Sequence, residues 1–293
     1  MGLRIGFVGA GKTATALGIY LVSCGFEITG YSSKSAASAQ KAARITASKA
    51  CDARQVAEGS DLIFIATPDG SIRSVCEQMA AAGLFTESHT VVHLSGALSS
   101  QELQSAREAG SSIASLHPLQ SFADPQEAAE KLHRTVFTLE GEGEGLTVIE
   151  GLLESTGNSC FKISKESKPL YHAAACFASN YAVSLFSCVL EIMEHIGIDK
   201  ARAFEAMRPL ADGTLDNISL LGIEKSLTGP IARGDADTVR RHMAALEESA
   251  LENVQRLYCE LGLRAAQIAG KTIQSPERLV EIEKILKERG RHE

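Results

Sequence analysis

The segment Gly9-Ala10-Gly11-Lys12-Thr13-Ala14 constrains this chain more than any other. It follows the apolar, β-branched run Ile5 to Val8 and opens a stretch of helical character. A G-x-G-x-x-A pattern between strand and helix serves one geometry. The first glycine makes the tight turn, and the second lets backbone amides approach a pyrophosphate at the helix N-terminus. The small third residue keeps helix and strand close, and Gly18 extends that approach. The segment predicts a parallel βαβ unit that binds a dinucleotide.

The rest of the first half continues this organisation. Short β-branched runs are expected to be strands at Arg4 to Val8, Glu27 to Tyr31, Leu62 to Ala66, Thr90 to Leu94, Ser112 to Leu116 and Arg134 to Leu139. Several are apolar throughout, as in strands buried on both faces. Helical stretches lie between them at Ala14 to Cys24, Lys34 to Ala47, Ile72 to Ala82 and Ser99 to Ala109. An α/β fold with a doubly wound, mostly parallel sheet is implied. Gly141 to Gly145 is read as a short acidic turn, and Cys160 to Ile163 is the last strand candidate.

Beyond that point the period is helical. Helices are expected over Pro169 to Ile196, Asp199 to Ala211, Leu215 to Lys225, Asp235 to Leu261 and Pro276 to Glu288. Gly262 is read as a helix stop, and Ser275-Pro276 as a helix start. The 293 residues, 44% apolar and 22% charged, exclude disorder as the main state and divide into residues 1–164 and an all-α part, residues 165–293.

A net charge of −7 without a long block of either sign argues against nucleic-acid binding. Seven scattered cysteines without a C-x-x-C pair fit reduced thiols and a cytoplasmic location. Met1-Gly2-Leu3-Arg4 runs straight into a strand without the apolar stretch of a signal peptide. Ala173 to Met193 carries Asn180 and Glu191, so a buried helix is expected there and not a membrane span. His172 and Cys176 share a helix face, but no second ligand pair has zinc-like spacing, so no metal site is expected.

The dinucleotide's identity is read at the end of the second strand, Gly30-Tyr31-Ser32-Ser33-Lys34. No carboxylate is available there for the ribose hydroxyls, while two hydroxyls and an ammonium suit a 2′-phosphate. NADP is therefore preferred over NAD. The cofactor set is Gly9, Ala10, Gly11, Lys12, Thr13, Ala14, Ser32, Ser33, Lys34, Thr67 and Pro68. Loops at Thr67-Pro68-Asp69, Ser95-Gly96 and His117-Pro118-Leu119-Gln120 come after strands, and Ser95 and His117 are candidates for the substrate wall.

Lys168 and His172 are four apart near a helix N-terminus, where the helix dipole disfavours two added cations. One of them is expected to be neutral, and either is suited to deliver a proton as hydride arrives at carbon. Asn180 stands in an apolar neighbourhood and either bonds a neighbouring helix or points into the site. Thr228 is a candidate to orient substrate, Arg233 to pair with its carboxylate, and Asp235 to cap the next helix.

The chain resembles bacterial Rossmann-like proteins whose helical half is domain of unknown function 2520. The resemblance rests on the glycine motif, Ser115-Leu116-His117-Pro118-Leu119-Gln120, Tyr171-His172-Ala173-Ala174-Ala175, Ser179-Asn180-Tyr181, Gly213 to Asn217 and Leu227 to Asp235. More distantly it is similar to pyrroline-5-carboxylate reductase, ketopantoate reductase and prephenate dehydrogenase. The resemblance implies a Rossmann domain joined to a helical domain like that of 6-phosphogluconate dehydrogenase, NADP binding, a reductase cleft between the domains, and a homodimer formed by the helical half. Related reductases pair a lysine with an asparagine four residues on, whereas here Lys168 is followed by His172. The reading is an NADP-dependent oxidoreductase reducing a ketone or imine of a small carboxylate-bearing metabolite, with Lys168, His172 and Asn180 as catalytic candidates. The alternative is a non-catalytic NADP-binding regulatory or interaction protein. Neither a membrane nor a nucleic acid is expected as a partner.

Overall fold

The computed structural model describes residues 2–273 and 275–289. The strands are β1 (Arg4–Val8), β2 (Glu27–Ser32), β3 (Lys49–Ala50), β4 (Leu62–Ile65), β5 (Thr90–His93), β6 (Ser112–Pro118), β7 (Phe137–Gly141) and β8 (Cys160–Lys162). They form one sheet in the order β3-β2-β1-β4-β5-β6-β7-β8, parallel except where β7 runs against β6. Between them run α1 (Lys12–Ser23), α2 (Ala36–Ile45), α3 (Ala53–Gly59), α4 (Asp69–Ala81), α5 (Gln104–Glu108), α6 (Pro125–Leu132) and α7 (Gly143–Thr156).

The apolar strands are buried on both faces, and alternation assigns their side chains to two cores. Ile5, Phe7, Leu62, Phe64 and Val92 pack on one face with Leu17 and Leu21 of α1. Val8, Ile63, Ile65 and Val91 pack on the other with Ile72 and Cys76 of α4. Phe7 stacks between Tyr31 and Phe64, with ring centroids 5.0 and 5.1 Å apart. The sheet order reverses beside β1, so the turns after β1 and β4 open onto one crevice, the usual place for a ligand in such a sheet.

The chain divides into two units, Met1–Asn180 and Tyr181–Glu293. The first ends with α8 (Lys168–Ala178). The second contains almost all of α9 (Asn180–His195), then α10 (Lys200–Leu221), α11 (Ile223–Ser226), α12 (Gly229–Ala232), α13 (Ala236–Glu248), α14 (Glu252–Ala269) and α15 (Glu277–Arg289). Val239, Met243, Cys259, Ile282 and Leu286 form the core of its last three helices.

Several expected boundaries move. The helix expected over Pro169 to Ile196 breaks at Ser179, whose backbone leaves the helical region. The helix expected over Asp199 to Ala211 runs on through Gly213 to Leu221 as α10, which also contains Pro209, and the end of the one expected over Leu215 to Lys225 is the separate α11 beyond Gly222. Asp235 to Leu261 is two helices, because Ala250 adopts a left-handed conformation between them. Gly262 does not end a helix. It lies buried inside α14, where a Cβ would come 2.9 Å from Leu286, so the glycine serves close packing and not termination. The acidic turn at Gly141 to Gly145 is the entry to α7, and β3, α3 and α6 are additional elements.

The apolar stretch from α8 into α9 is not buried as expected: Val183 is 72% and Leu170 78% exposed. Lys165–His195 is long and apolar enough to cross a membrane by length and composition, although the break at Ser179 interrupts it.

Candidate active site

The turn after β1 is built as the glycine motif requires. Gly9 has φ +117, and a Cβ there would run into the Ala66 carbonyl of the turn after β4. Its N–H donates to Ser32 O at 2.7 Å, tying the ends of β1 and β2 together. Gly11 caps α1 without any side-chain hydrogen bond, and a Cβ at Gly11 would meet nothing within 4 Å. The protein fold therefore does not require Gly11, whereas a ligand lying against that backbone would.

A crevice of about 600 Å³ opens here, and Gly9, Ala10, Gly11, Ser32, Ser33, Lys34, Thr67 and Pro68 all line it. Ser38 is a further lining residue. No Asp or Glu among the described residues lines it. Thr67 Oγ1 is buried without a protein partner. An open glycine cradle, an orphaned hydroxyl and a polar end fit an NAD(P)-type dinucleotide. The other motif residues fall outside the lining. Ala14 is buried in the core, Thr13 is half-buried, and Lys12 is exposed at the start of α1.

A second group of polar side chains gathers around the ends of β5, β6 and β7 in the same unit. Lys168, the first residue of α8, is fully buried. Its Nζ donates to the Ser95 carbonyl at 2.8 Å and to Ser115 Oγ on β6. An ammonium has three donors, and the described protein supplies partners for two, which leaves one N–H for a ligand. Burial pushes Lys168 down to about 8, while Glu140 and Asp69 pull the other way. At neutral pH the group is still mostly a cation, yet close enough to its titration point to give up a proton.

Imidazoles gather around it. His93 Nδ1 accepts from Ser95 N–H at 3.2 Å, so Nε2 carries the proton and donates to Ser99 O at 2.9 Å. Burial pushes His93 down to about 4, with Lys168 adding to the effect. His117 is also pushed down to about 4, by burial and then by Lys168, His172 and His93. Its Nδ1 shares a hydrogen bond with the Tyr171 hydroxyl at 2.7 Å. His172 Nδ1 is buried and has no partner among the described residues. Both imidazoles close over Gly96, where a Cβ would stand 2.5 Å from His172 Nδ1 and 2.8 Å from His117 Nε2. Buried Glu140 on β7 accepts from Ser100 N and Oγ at 2.6 and 2.9 Å, fixing the turn beyond Ser95.

Ser95, His117, Lys168 and His172 are thus brought together. Asn180 is exposed at the start of α9, after the break at Ser179. Thr228 and Arg233 belong to the second unit, flanking α12, and neither is buried. Asp235 caps α13 through Thr238 N at 3.0 Å. Sequence reading does not single out Tyr171, Ser115, His93 or Glu140 for a role. Tyr171 and Ser115 stand inside motifs already quoted, but His93 and Glu140 sit in strands without any local signal. Among the described residues no cluster of metal-ligating side chains occurs.

Residues 1–118 match the model of the Rossmann-like domain, and residues 135–265 match that of the domain of unknown function DUF2520. Along the chain a Rossmann-like match is thus followed by a DUF2520 match. The DUF2520 match begins before β7 and ends inside α14, so it takes in Glu140, Lys168, Tyr171 and His172. Among solved structures, a provisionally assigned NADP oxidoreductase from Bacteroides fragilis is similar at 21% identity and TM-score 0.75, covering 91% of this chain and 98% of that one. A protein from Thermotoga maritima is similar at 28% identity and TM-score 0.63, with 98% of each chain covered. A reductive aminase from Aspergillus terreus, in complex with NADPH and ethyl-5-oxohexanoate, is similar at 16% identity and TM-score 0.60, covering 100% and 97%. 1-Pyrroline-5-carboxylate reductases share the fold at 16 and 17% identity. No curated protein matches the sequence.

Proposed function

We propose that this DUF2520 protein is an NADPH-dependent oxidoreductase that reduces a C=O or C=N bond of a small carboxylate-bearing metabolite. The observation that carries this reading is the buried Lys168, with one uncommitted N–H, in the same unit as a crevice suited to NADP. NADPH would supply the hydride, and reduction also requires a proton at the oxygen or nitrogen. Lys168 Nζ supplies that proton and recovers it from solvent after product leaves. Its two acceptors are neutral, so the ammonium's charge is not cancelled by direct pairing and stabilises negative charge developing on a carbonyl oxygen. The structural neighbours support this class of activity, since the Bacteroides protein is described by NADP and the Aspergillus enzyme holds NADPH.

Ser33 and Lys34 hold the 2′-phosphate, which makes NADPH the preferred cofactor over NADH. His117 and His172 line the substrate side, and Asn180, Thr228 and Arg233 remain candidates for orienting the substrate and pairing with its carboxylate. The exposed apolar faces of α8, α9 and α10, including Leu170, Val183, Leu210 and Leu220, fit a homodimer of a cytoplasmic protein. Sedimentation at two concentrations tests that state.

The activity is tested by following NADPH oxidation with a panel of 2-keto acids and cyclic imines. Wild type is expected to turn over at least one of them, and Lys168→Met to lose about 10²-fold or more in kcat while still binding NADPH. NADPH binding without oxidation across the panel would favour a regulatory, non-catalytic protein instead.

A further inference from the structure

We propose that Asp69 is a positioning residue for Lys168, acting through Ser95. Asp69 is the first residue of α4 and comes directly after Thr67-Pro68, which lines the dinucleotide crevice. Its Oδ2 accepts the Ser95 hydroxyl proton at 2.8 Å. The direction of that bond is set by Ser95's other partners. Ser95 Oγ accepts from Ala97 N at 3.2 Å and Leu98 N at 3.0 Å, so its single proton is left for the carboxylate. Ser95 is buried, and its own carbonyl carries Lys168 Nζ. One serine therefore joins the loop that lines the crevice to the carbonyl on which the ammonium rests.

The link has the chemistry of a positioning device. Loss of Asp69 takes the acceptor from the Ser95 hydroxyl proton, leaving Ala97 N and Leu98 N as its remaining ties, and loosens the turn whose carbonyl favours the charged form of Lys168. The other charged or titratable groups facing the ammonium are Glu140 from β7, His93 from β5 and His117 from β6, with His172 of α8 beside His117. Glu140 is fixed by Ser100, and His93 by Ser95 N and Ser99 O. Asp69 is the carboxylate whose hold on Lys168 passes through the cofactor loop.

The test is an NMR titration of Lys168 in the full-length, ligand-free protein carrying ¹³Cε-labelled lysine, with the resonance assigned from Lys168→Met. Asp69→Ala is expected to lower the Lys168 midpoint by about half a unit or more. Asp69→Asn, which keeps an acceptor for Ser95, is expected to lower it by less. Ser95→Ala combined with Asp69→Ala should shift the midpoint by less than the sum of the two single changes. An unchanged midpoint in Asp69→Ala would overturn the link, and equal shifts in Asp69→Ala and Asp69→Asn would reduce it to charge alone and overturn positioning. This role rests on Lys168 being the acid proposed above. Because the titration needs no ligand, failure to bind NADPH would sink the reductase reading and leave the Asp69 link standing.

Discussion

The Tyr171 hydroxyl lies 2.7 Å from His117 Nδ1 and so fastens α8 to the end of β6, three residues from Lys168. The rings meet edge to face with centroids 5.6 Å apart. Tyr171→Phe removes the hydrogen bond and keeps the packing. It is expected to cost about 1 kcal/mol of stability and to lower kcat more than it raises KM. Urea unfolding and steady-state kinetics check the two parts. A variant with unchanged kcat would make the pair purely structural.

The two motif glycines should fail differently. Gly9 is needed by the fold, because its φ is +117 and the Ala66 carbonyl fills the space of a side chain. Gly9→Ala is expected to destabilise the protein by roughly 1–3 kcal/mol. Gly11 has open space around it, so Gly11→Val should cost no more than about 1 kcal/mol, the effect of a poorer N-cap, yet bind NADPH at least tenfold more weakly. Equal losses of stability would show that Gly11 also serves packing.

Acid should destabilise the fold through His93 and His117. Each titrates near 4 when folded and near 6.5 when unfolded, so between those values the unfolded chain binds the extra protons. Stability is then lost as pH falls from about 6.5 to 4, by on the order of 3 kcal/mol for each group. Lys168 acts on the alkaline side. Its folded value near 8 lies below its ordinary 10.5, so the cost of burying the cation is full below pH 8 and is relieved as pH rises toward 10.5. Unfolding midpoints of wild type and His117→Asn at pH 7 and pH 5 test the acid limb, and the variant should lose less.

Cofactor choice is expected to turn on Lys34. Lys34→Glu places a carboxylate where a 2′-phosphate would lie and offers an acceptor to ribose hydroxyls. The ratio of NADPH to NADH affinity should fall by at least tenfold, measured by cofactor fluorescence. An unchanged ratio would remove Lys34 from the phosphate site.

The crevice is legible in the sequence because its chemistry is local. Gly9, Gly11 and Ser32 to Lys34 act through backbone and strand-end positions that a short segment announces. Lys168 is legible through its place at a helix start, though not its complete burial, which depends on Ser95 and Ser115 lying 73 and 53 residues away. His93 and Glu140 are not legible at all. Each sits at the end of a buried strand, and only the sheet order brings them beside β6. The helix expected through Asn180 presumes continuous helical backbone, and a single non-helical residue, Ser179, interrupts it. Gly262 shows the converse error, since a glycine that packs under Leu286 has the same letter as one that ends a helix.

The most direct measurement is a fluorescence titration of wild type and Gly11→Val with NADPH, under conditions where both are folded. Saturable binding by wild type, weakened at least tenfold in Gly11→Val, is the predicted result. Absence of NADPH binding by wild type would contradict the assignment of the glycine crevice, and with it the reductase built on Lys168.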